Sequence, residues 1–210
     1  VAVIFAQVED LASQITAVRK HAALRLEQAV TDELKTLAMG GATLVVTVTE
    51  STDYQAHGVD QVSIQLAAYP GAEPRPIGKG ASGGELSRIA LAIAVTTSEL
   101  GTAQTLIFDE VDSGVGGAVA ETVGQLMKQL GKDRQVLAVT HLPQVAACAD
   151  HHLVVSKHSD AQGTSSQVAA LGAHARVNEI ARMLGGEKVS ETTLAHAREM
   201  LHTSAKANKK

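Results

Sequence analysis

From Gly83 onward, helical and strand-like stretches alternate, and that alternation constrains the fold of this chain more than any single motif. A helix over about Gly83–Glu99 precedes a strand at Thr105–Asp109. A helix at about Gly117–Leu130 and a strand at Gln135–Thr140 follow. Strand, helix, strand in that order calls for crossover connections and a sheet covered by helices. The expected class is α/β, a mainly parallel sheet flanked by helices, with a long helix leading in. A short helix around Pro143–Ala149, strands at His152–Ser156 and near Ser166–Leu171, and helices over Ala175–Leu184 and Glu191–His202 complete this half.

The first eighty residues read differently. Between Glu9 and Leu37 there is no Pro or Gly, and Leu11, Ile15, Val18 and Ala22, then less regularly Ala29, Val30, Leu34 and Leu37, recur at helical spacing. That suits a long amphipathic helix, and it fits equally the end of a coiled coil or an ordinary surface-packed helix. Met39-Gly40-Gly41 is expected to stop it. Strands at Thr43–Thr49 and Gln61–Ala68, joined by the polar Glu50–Asp60, read as an antiparallel pair. The stretch from Pro70 to Gly80, with Pro70, Pro74 and Pro76, cannot be helix or central strand. The domains expected are thus 1–38, an entering helix or coiled-coil end, 39–202, a single lobe, and 203–210, a disordered tail.

Bulk properties set limits. The 210 residues are 45% hydrophobic but 2% aromatic, so Val, Leu, Ile and Ala must build the core. A net charge of −4 argues against a surface dedicated to coating nucleic acid. Cys148 is the single cysteine, which excludes an internal disulfide and suits a reducing compartment. No signal-peptide pattern or membrane-length apolar run is seen, so a soluble cytoplasmic location is expected.

Three stretches carry chemistry. Ser82-Gly83-Gly84-Glu85 has the Ser-x-x-Glu spacing of a capping box, and Leu86, Ile89, Ala90, Ile93 and Ala94 would form the apolar stripe of the helix it opens. A cap alone leaves two first-turn glycines unexplained, because glycine weakens a helix. Bare backbone N–H groups at the positive end of a helix can receive a phosphate, and the Ser82 hydroxyl could add a donor. Leu106-Ile107-Phe108-Asp109-Glu110 places two carboxylates at the carboxyl end of a strand, where open α/β sheets bind ligands. One acid there can hold Mg²⁺, directly or through water, and its neighbour can orient or deprotonate a water. The bland alternative is an acidic loop start. His141 ends the next apolar strand and could reach a phosphoryl group, although a lone His at a strand end is more often structural.

Other signals are weaker. Asp112-Ser113-Gly114-Val115-Gly116-Gly117 looks like a dinucleotide loop, but Asp109 and Glu110 stand where that loop begins and would repel a pyrophosphate. Cys148, His151 and His152 match no zinc-ligand spacing. Gly78-Lys79-Gly80 is not a phosphate loop, and no Gly-x-x-x-x-Gly-Lys-Ser/Thr occurs in the chain.

Taken in order, Ala81–Glu85, Leu106–Glu110, Ser113–Gly116 and His141 resemble the C-terminal lobe of an ATP-binding-cassette head of the SMC-like branch. Ala81–Ile89, Phe108–Asp112, Val139–Ala146 and Glu179–Gly186 are similar to the RecN family of bacterial DNA repair proteins, and the likeness covers nearly the whole chain. The resemblance implies an ATPase with ATP and Mg²⁺ as cofactors. Ser82, Gly83, Gly84 and Glu85 would meet ATP held by a second head, Asp109 would serve Mg²⁺, Glu110 the attacking water and His141 the γ-phosphate. Asp112, Ser113, Gly114 and Gly116 would form the contact loop. Two positions depart from the pattern: Ala81 replaces a bulky residue, and Gly116 stands where related heads often carry Asp. Implied partners are an N-terminal lobe bearing the phosphate loop, a second head, DNA and a recombinase, in the cytoplasm at the nucleoid and with no membrane. Another SMC-like head, a transporter-type ATPase subunit and a non-catalytic dimerisation lobe remain alternatives.

Overall fold

The computed structural model describes residues 2–98, 100–101, 103–160, 163–186 and 188–207. Its elements, in order, are α1 (Ala2–Thr36), β1 (Thr43–Gln55), β2 (Gly58–Ala67), β3 (Arg75–Pro76), α2 (Gly83–Thr96), β4 (Thr105–Phe108), α3 (Gly117–Leu130), β5 (Gln135–Ala138), α4 (Pro143–Cys148), β6 (Leu153–Asp160), β7 (Gly163–Ala170), α5 (Ala173–Gly185) and α6 (Glu191–Ala207). They form two compact units, Val1–Gly101 and Thr102–Lys210. Among the described residues no helix is long and apolar enough to cross a membrane.

In the first unit, β1 and β2 pair antiparallel, with Thr43 opposite Ala67 and Glu50 opposite Asp60. The polar Glu50–Asp60 segment is mostly strand rather than linker, because the hairpin closes on Ala56-His57 and on Gly58, whose φ is +106°. β3 is an edge strand beside β2, a position that tolerates Pro76 without an N–H. On the far side, α1 covers the open edge of β1. The Val46 N–H donates to Glu27 Oε1 at 2.6 Å and the Leu44 N–H to Thr31 Oγ1 at 3.1 Å. These bonds satisfy strand donors that would otherwise invite another chain.

α1 buries the later part of the stripe legible in the sequence, at Val30 and Leu34, but not the earlier part. Its buried residues are Ala12, Thr16, Ala23, Val30 and Leu34, whereas Leu11 is 57% and Val18 68% exposed. Small side chains let helix and sheet approach closely, and Thr16 supplies a hydroxyl to the buried Asp60 at 2.7 Å. Arg19 adds Nη1 to the same carboxylate at 2.8 Å and Nη2 to the His57 carbonyl at 2.6 Å. The helix ends at a left-handed Ala38, φ 59°, where the Met39 N–H returns to the Leu34 carbonyl at 3.0 Å. That is a Schellman stop, one residue ahead of the expected Met39-Gly40-Gly41.

α2 buries Gly84, Arg88, Ile89, Leu91 and Ala92 and exposes Ala90. The inward face is thus rotated from the expected stripe. Glu99, the expected last residue of this helix, lies outside the described residues.

The second unit contains the parallel pair β4–β5, in register from Thr105 opposite Gln135 to Phe108 opposite Ala138. α3 follows β4 and precedes β5, the crossover that parallel pairing needs. Among the described residues the remaining pairings, β1–β2, β2–β3 and β6–β7, are antiparallel, as short connections dictate. A Cβ on Gly124 of α3 would stand 2.7 Å from Cys148 Sγ and 3.2 Å from Val145 Cα, so α3 and α4 meet through bare backbone. Ala146 and Ala147 of α4 pack with Ile180, Ala181 and Ala197 of α5 and α6. α6 runs to Ala207, so Thr203–Ala207 are helical rather than frayed, in keeping with the strong helix formers Ala205, Lys206 and Ala207. Asn208–Lys210, the rest of the expected tail, lie outside the described residues.

Candidate functional site

The amino end of α2 is a complete capping box. The Ser82 hydroxyl accepts the Glu85 N–H at 3.3 Å, while Glu85 Oε2 accepts the Ser82 N–H at 2.8 Å and the Ser82 hydroxyl at 3.0 Å. The Ser82 backbone N–H, then its hydroxyl, hold the Glu85 carboxyl below the usual carboxylate range. Ser82 and Gly83 are exposed, whereas Gly84 is buried. The proton of Ser82 is therefore engaged by Glu85, and the surface offered at this helix end is Ser82 and Gly83.

In the second unit, β4 and β5 run side by side, so their carboxyl ends share one edge. Asp109 and Glu110 leave the end of β4 exposed to solvent. His141 follows β5, its ring 74% exposed. The Val139 N–H to Phe108 carbonyl bond, 3.0 Å, carries the ladder to the point where both loops begin. Glu110 adopts a left-handed backbone, φ 56°, with its N–H on Asp109 Oδ1 at 2.9 Å and its carbonyl accepting the Ser113 N–H at 2.9 Å. A non-glycine residue there stores about 1 kcal/mol of strain, which tends to persist where a turn aims a side chain for use.

The loop that follows divides in two. Ser113, Gly114 and Gly116 are exposed, with Gly114 at φ 74°. Asp112 is buried to 2% exposure. Its Oδ2 accepts the Thr140 hydroxyl at 2.5 Å and the His141 N–H at 3.1 Å, and stands 3.4 Å from His141 Nδ1. Asp109, Glu110, Asp112 and His141 thus all lie in the loops that leave one end of the parallel pair, and Asp112 and His141 are in contact. Thr140, to which sequence reading gave no part, ties the loop after β5 to Asp112. Its signal was a hydroxyl immediately before a strand-end His and a Pro-started helix, a place where Ser and Thr close turns.

Arg176 was also missed. From α5 its Nη2 lies 3.1, 3.2 and 2.5 Å from the carbonyls of Ala146, Ala147 and Ala149, and Nη1 lies 3.3 Å from that of Asp150. A half-buried guanidinium so placed caps the carboxyl end of α4, where a cation is favoured. Lys128 pairs with Asp150 beside it. These bonds hold the six-residue helix that begins two positions after His141.

The donor set can be tested against Mg²⁺ and a nucleotide. Among the described residues no group of three or more His, Cys, Asp or Glu side chains is gathered around one point. An all-protein ion cage is therefore not offered. Two exposed neighbouring carboxylates fit a Mg²⁺ that takes its remaining ligands from phosphate and water.

No protein-family model matches the chain. It is 44% identical over 211 residues to the DNA repair protein RecN of Streptomyces coelicolor, covering 95% of this chain and 37% of that protein. With RecN of Haemophilus influenzae it shares 46% over 198 residues, covering 94% and 36%. RecN of Mycobacterium leprae is 42% identical over 220 residues. The chain thus spans little more than a third of the length of these curated relatives. Among solved structures, the Smc head of Pyrococcus yayanosii superposes with a TM-score of 0.55 at 20% identity, covering 78% of this chain and 29% of that one. An SMC ATPase chain matches with a TM-score of 0.50 at 19% identity, covering 82% of this chain and 99% of that one. At such identity the structural likeness speaks for the fold, which is that of an SMC-type head. With more than nine-tenths of its residues aligned to RecN proteins at over 40% identity, the chain belongs to the RecN family.

Proposed function

We propose that this chain is the C-terminal lobe of the ATPase head of a RecN-family protein that acts in recombinational repair of DNA double-strand breaks. The observation that carries the reading is that Asp109 and Glu110 follow β4 and His141 follows β5, at the adjacent carboxyl ends of one parallel pair. Bound Mg²⁺ would neutralise phosphate charge as the terminal phosphoryl leaves. Asp109 would hold that ion, directly or through water, and Glu110 would orient the attacking water and take its proton. His141 would face the γ-phosphate, while Ser82 and Gly83, with the helix end behind them, would meet ATP held by a second head. Ser113, Gly114 and Gly116 would line the contact loop. Hydrolysis would then separate two heads that the γ-phosphate had joined.

The missing phosphate loop belongs, on this reading, to an N-terminal lobe of the same protein. Two apolar faces support an absent neighbour. Ile107, Leu137 and Val139 lie on one face of the β4–β5 pair at 71%, 42% and 63% exposure. On α1 the stripe that includes Phe5, Val8, Leu11, Ile15 and Val18 is likewise exposed, as the end of a two-stranded coiled-coil arm would leave it. DNA, a recombinase and a place at the nucleoid in the cytoplasm follow from the family role. In the full-length protein, Glu110→Gln is expected to keep ATP binding and trap closed head dimers. Size-exclusion chromatography with ATP and a phosphate-release assay check this; turnover at the wild-type rate would refute the role.

A further inference from the structure

Asp112 departs from its expected part in a presenting loop. Burying a carboxylate is unfavourable unless hydrogen bonds replace its water, and here both donors to Oδ2 come from the loop after β5. The Thr140 hydroxyl gives its proton to Asp112 and accepts the Leu142 N–H at 3.0 Å. Leu142 is the N-cap of α4. One buried acid on the β4 side thus fixes the backbone on both sides of His141. The same oxygen lies 3.4 Å from His141 Nδ1 while the ring remains open to solvent.

We propose that Asp112 is a positioning residue that fixes the rotamer and tautomer of His141, keeping the proton on Nδ1 and turning Nε2 outward. A carboxylate beside Nδ1 opposes a lone pair there and attracts an N–H, the arrangement by which an acid orients an imidazole in other sites. Nε2 then faces the position of a bound phosphoryl group. It accepts a hydrogen bond from water while the ring is neutral and donates one to oxygen once the ring is protonated. The catalytic meaning of this geometry rests on the ATPase reading above; the geometry itself does not.

The test begins without nucleotide. In the ¹⁵N-histidine-labelled chain, with His141→Gln used to assign the signal, long-range ¹H–¹⁵N correlation is expected to show His141 as the Nδ1–H tautomer at a pH where the ring is neutral. Asp112→Asn and Thr140→Val should move it toward the Nε2–H form that a free imidazole prefers. A wild-type His141 with the same tautomer mixture as the exposed His174 would overturn the proposal, whatever the variants do. In the full-length protein, Asp112→Asn should lower kcat about 10- to 100-fold with little change in KM for ATP. Added to His141→Ala, it should cost almost nothing further, because the two residues act as one unit. Independent, additive losses would also overturn it. Absence of turnover in the wild type, alongside an Nδ1–H ring, would defeat the ATPase reading while supporting this one.

Discussion

Asp60 shows how much one side chain can hold in place. Arg19, then Thr16, hold its carboxyl below the usual range, so in the folded chain it ionises at lower pH than in the unfolded one. In the window beneath about pH 4 the unfolded state therefore binds more protons, and stability falls with acid. Above that window the contribution is fully present. Asp60→Asn is expected to flatten the pH dependence of the first unit below about pH 4 while leaving its shape near neutrality. Urea midpoints measured from pH 7 down to about 2.5 check this; an unchanged slope would remove Asp60 from the account. Neither this cluster nor that of Asp112 was legible beforehand. Asp60 and Thr16 stand 44 positions apart and Asp112 and Thr140 28 apart, and pattern reading works within a few residues. The placement of Asp109, Glu110 and His141 at strand ends was legible, because each follows an apolar run.

For the elements, periodicity located helices and strands better than it located their faces. α3 begins and ends where the apolar spacing places it, at Gly117 and Leu130. In the first half of α1, spacing favours the larger Leu11, Ile15 and Val18, whereas the buried positions are the smaller Ala12, Thr16 and Ala23. Its stop was misplaced for a related reason: glycine is the usual left-handed residue, yet Ala38 fills that role. A Cβ in the left-handed region costs about 1 kcal/mol or more. Ala38→Gly is therefore expected to stabilise the first unit by roughly 0.5–1 kcal/mol, the relief being partly offset by a freer unfolded chain. Chemical denaturation would read this as a higher midpoint at unchanged slope. A lower midpoint would mean that the Leu34–Met39 closure does not depend on the conformation of Ala38.

Taken as a whole, the molecule holds an acid pair, a histidine and a capped helix, but no lysine-bearing phosphate loop. The 210-residue chain by itself is expected to hydrolyse ATP no faster than a buffer blank, and to do so measurably once the remaining lobe is supplied. Robust turnover by the purified chain would contradict the division of the site between lobes. Alternation of strand and helix made the parallel pair legible, since crossover length permits nothing else. That β6 and β7 pair with each other as a hairpin was less so, because pairing partners are chosen in space. The left-handed turn at Glu110 reaches furthest beyond the site. Glycine would sit there more comfortably, so a laboratory selection scored on melting temperature alone would drift toward it and erase the acid. Sturdiness and competence pull apart at that one backbone angle, and only a screen that also reads phosphate release would keep both.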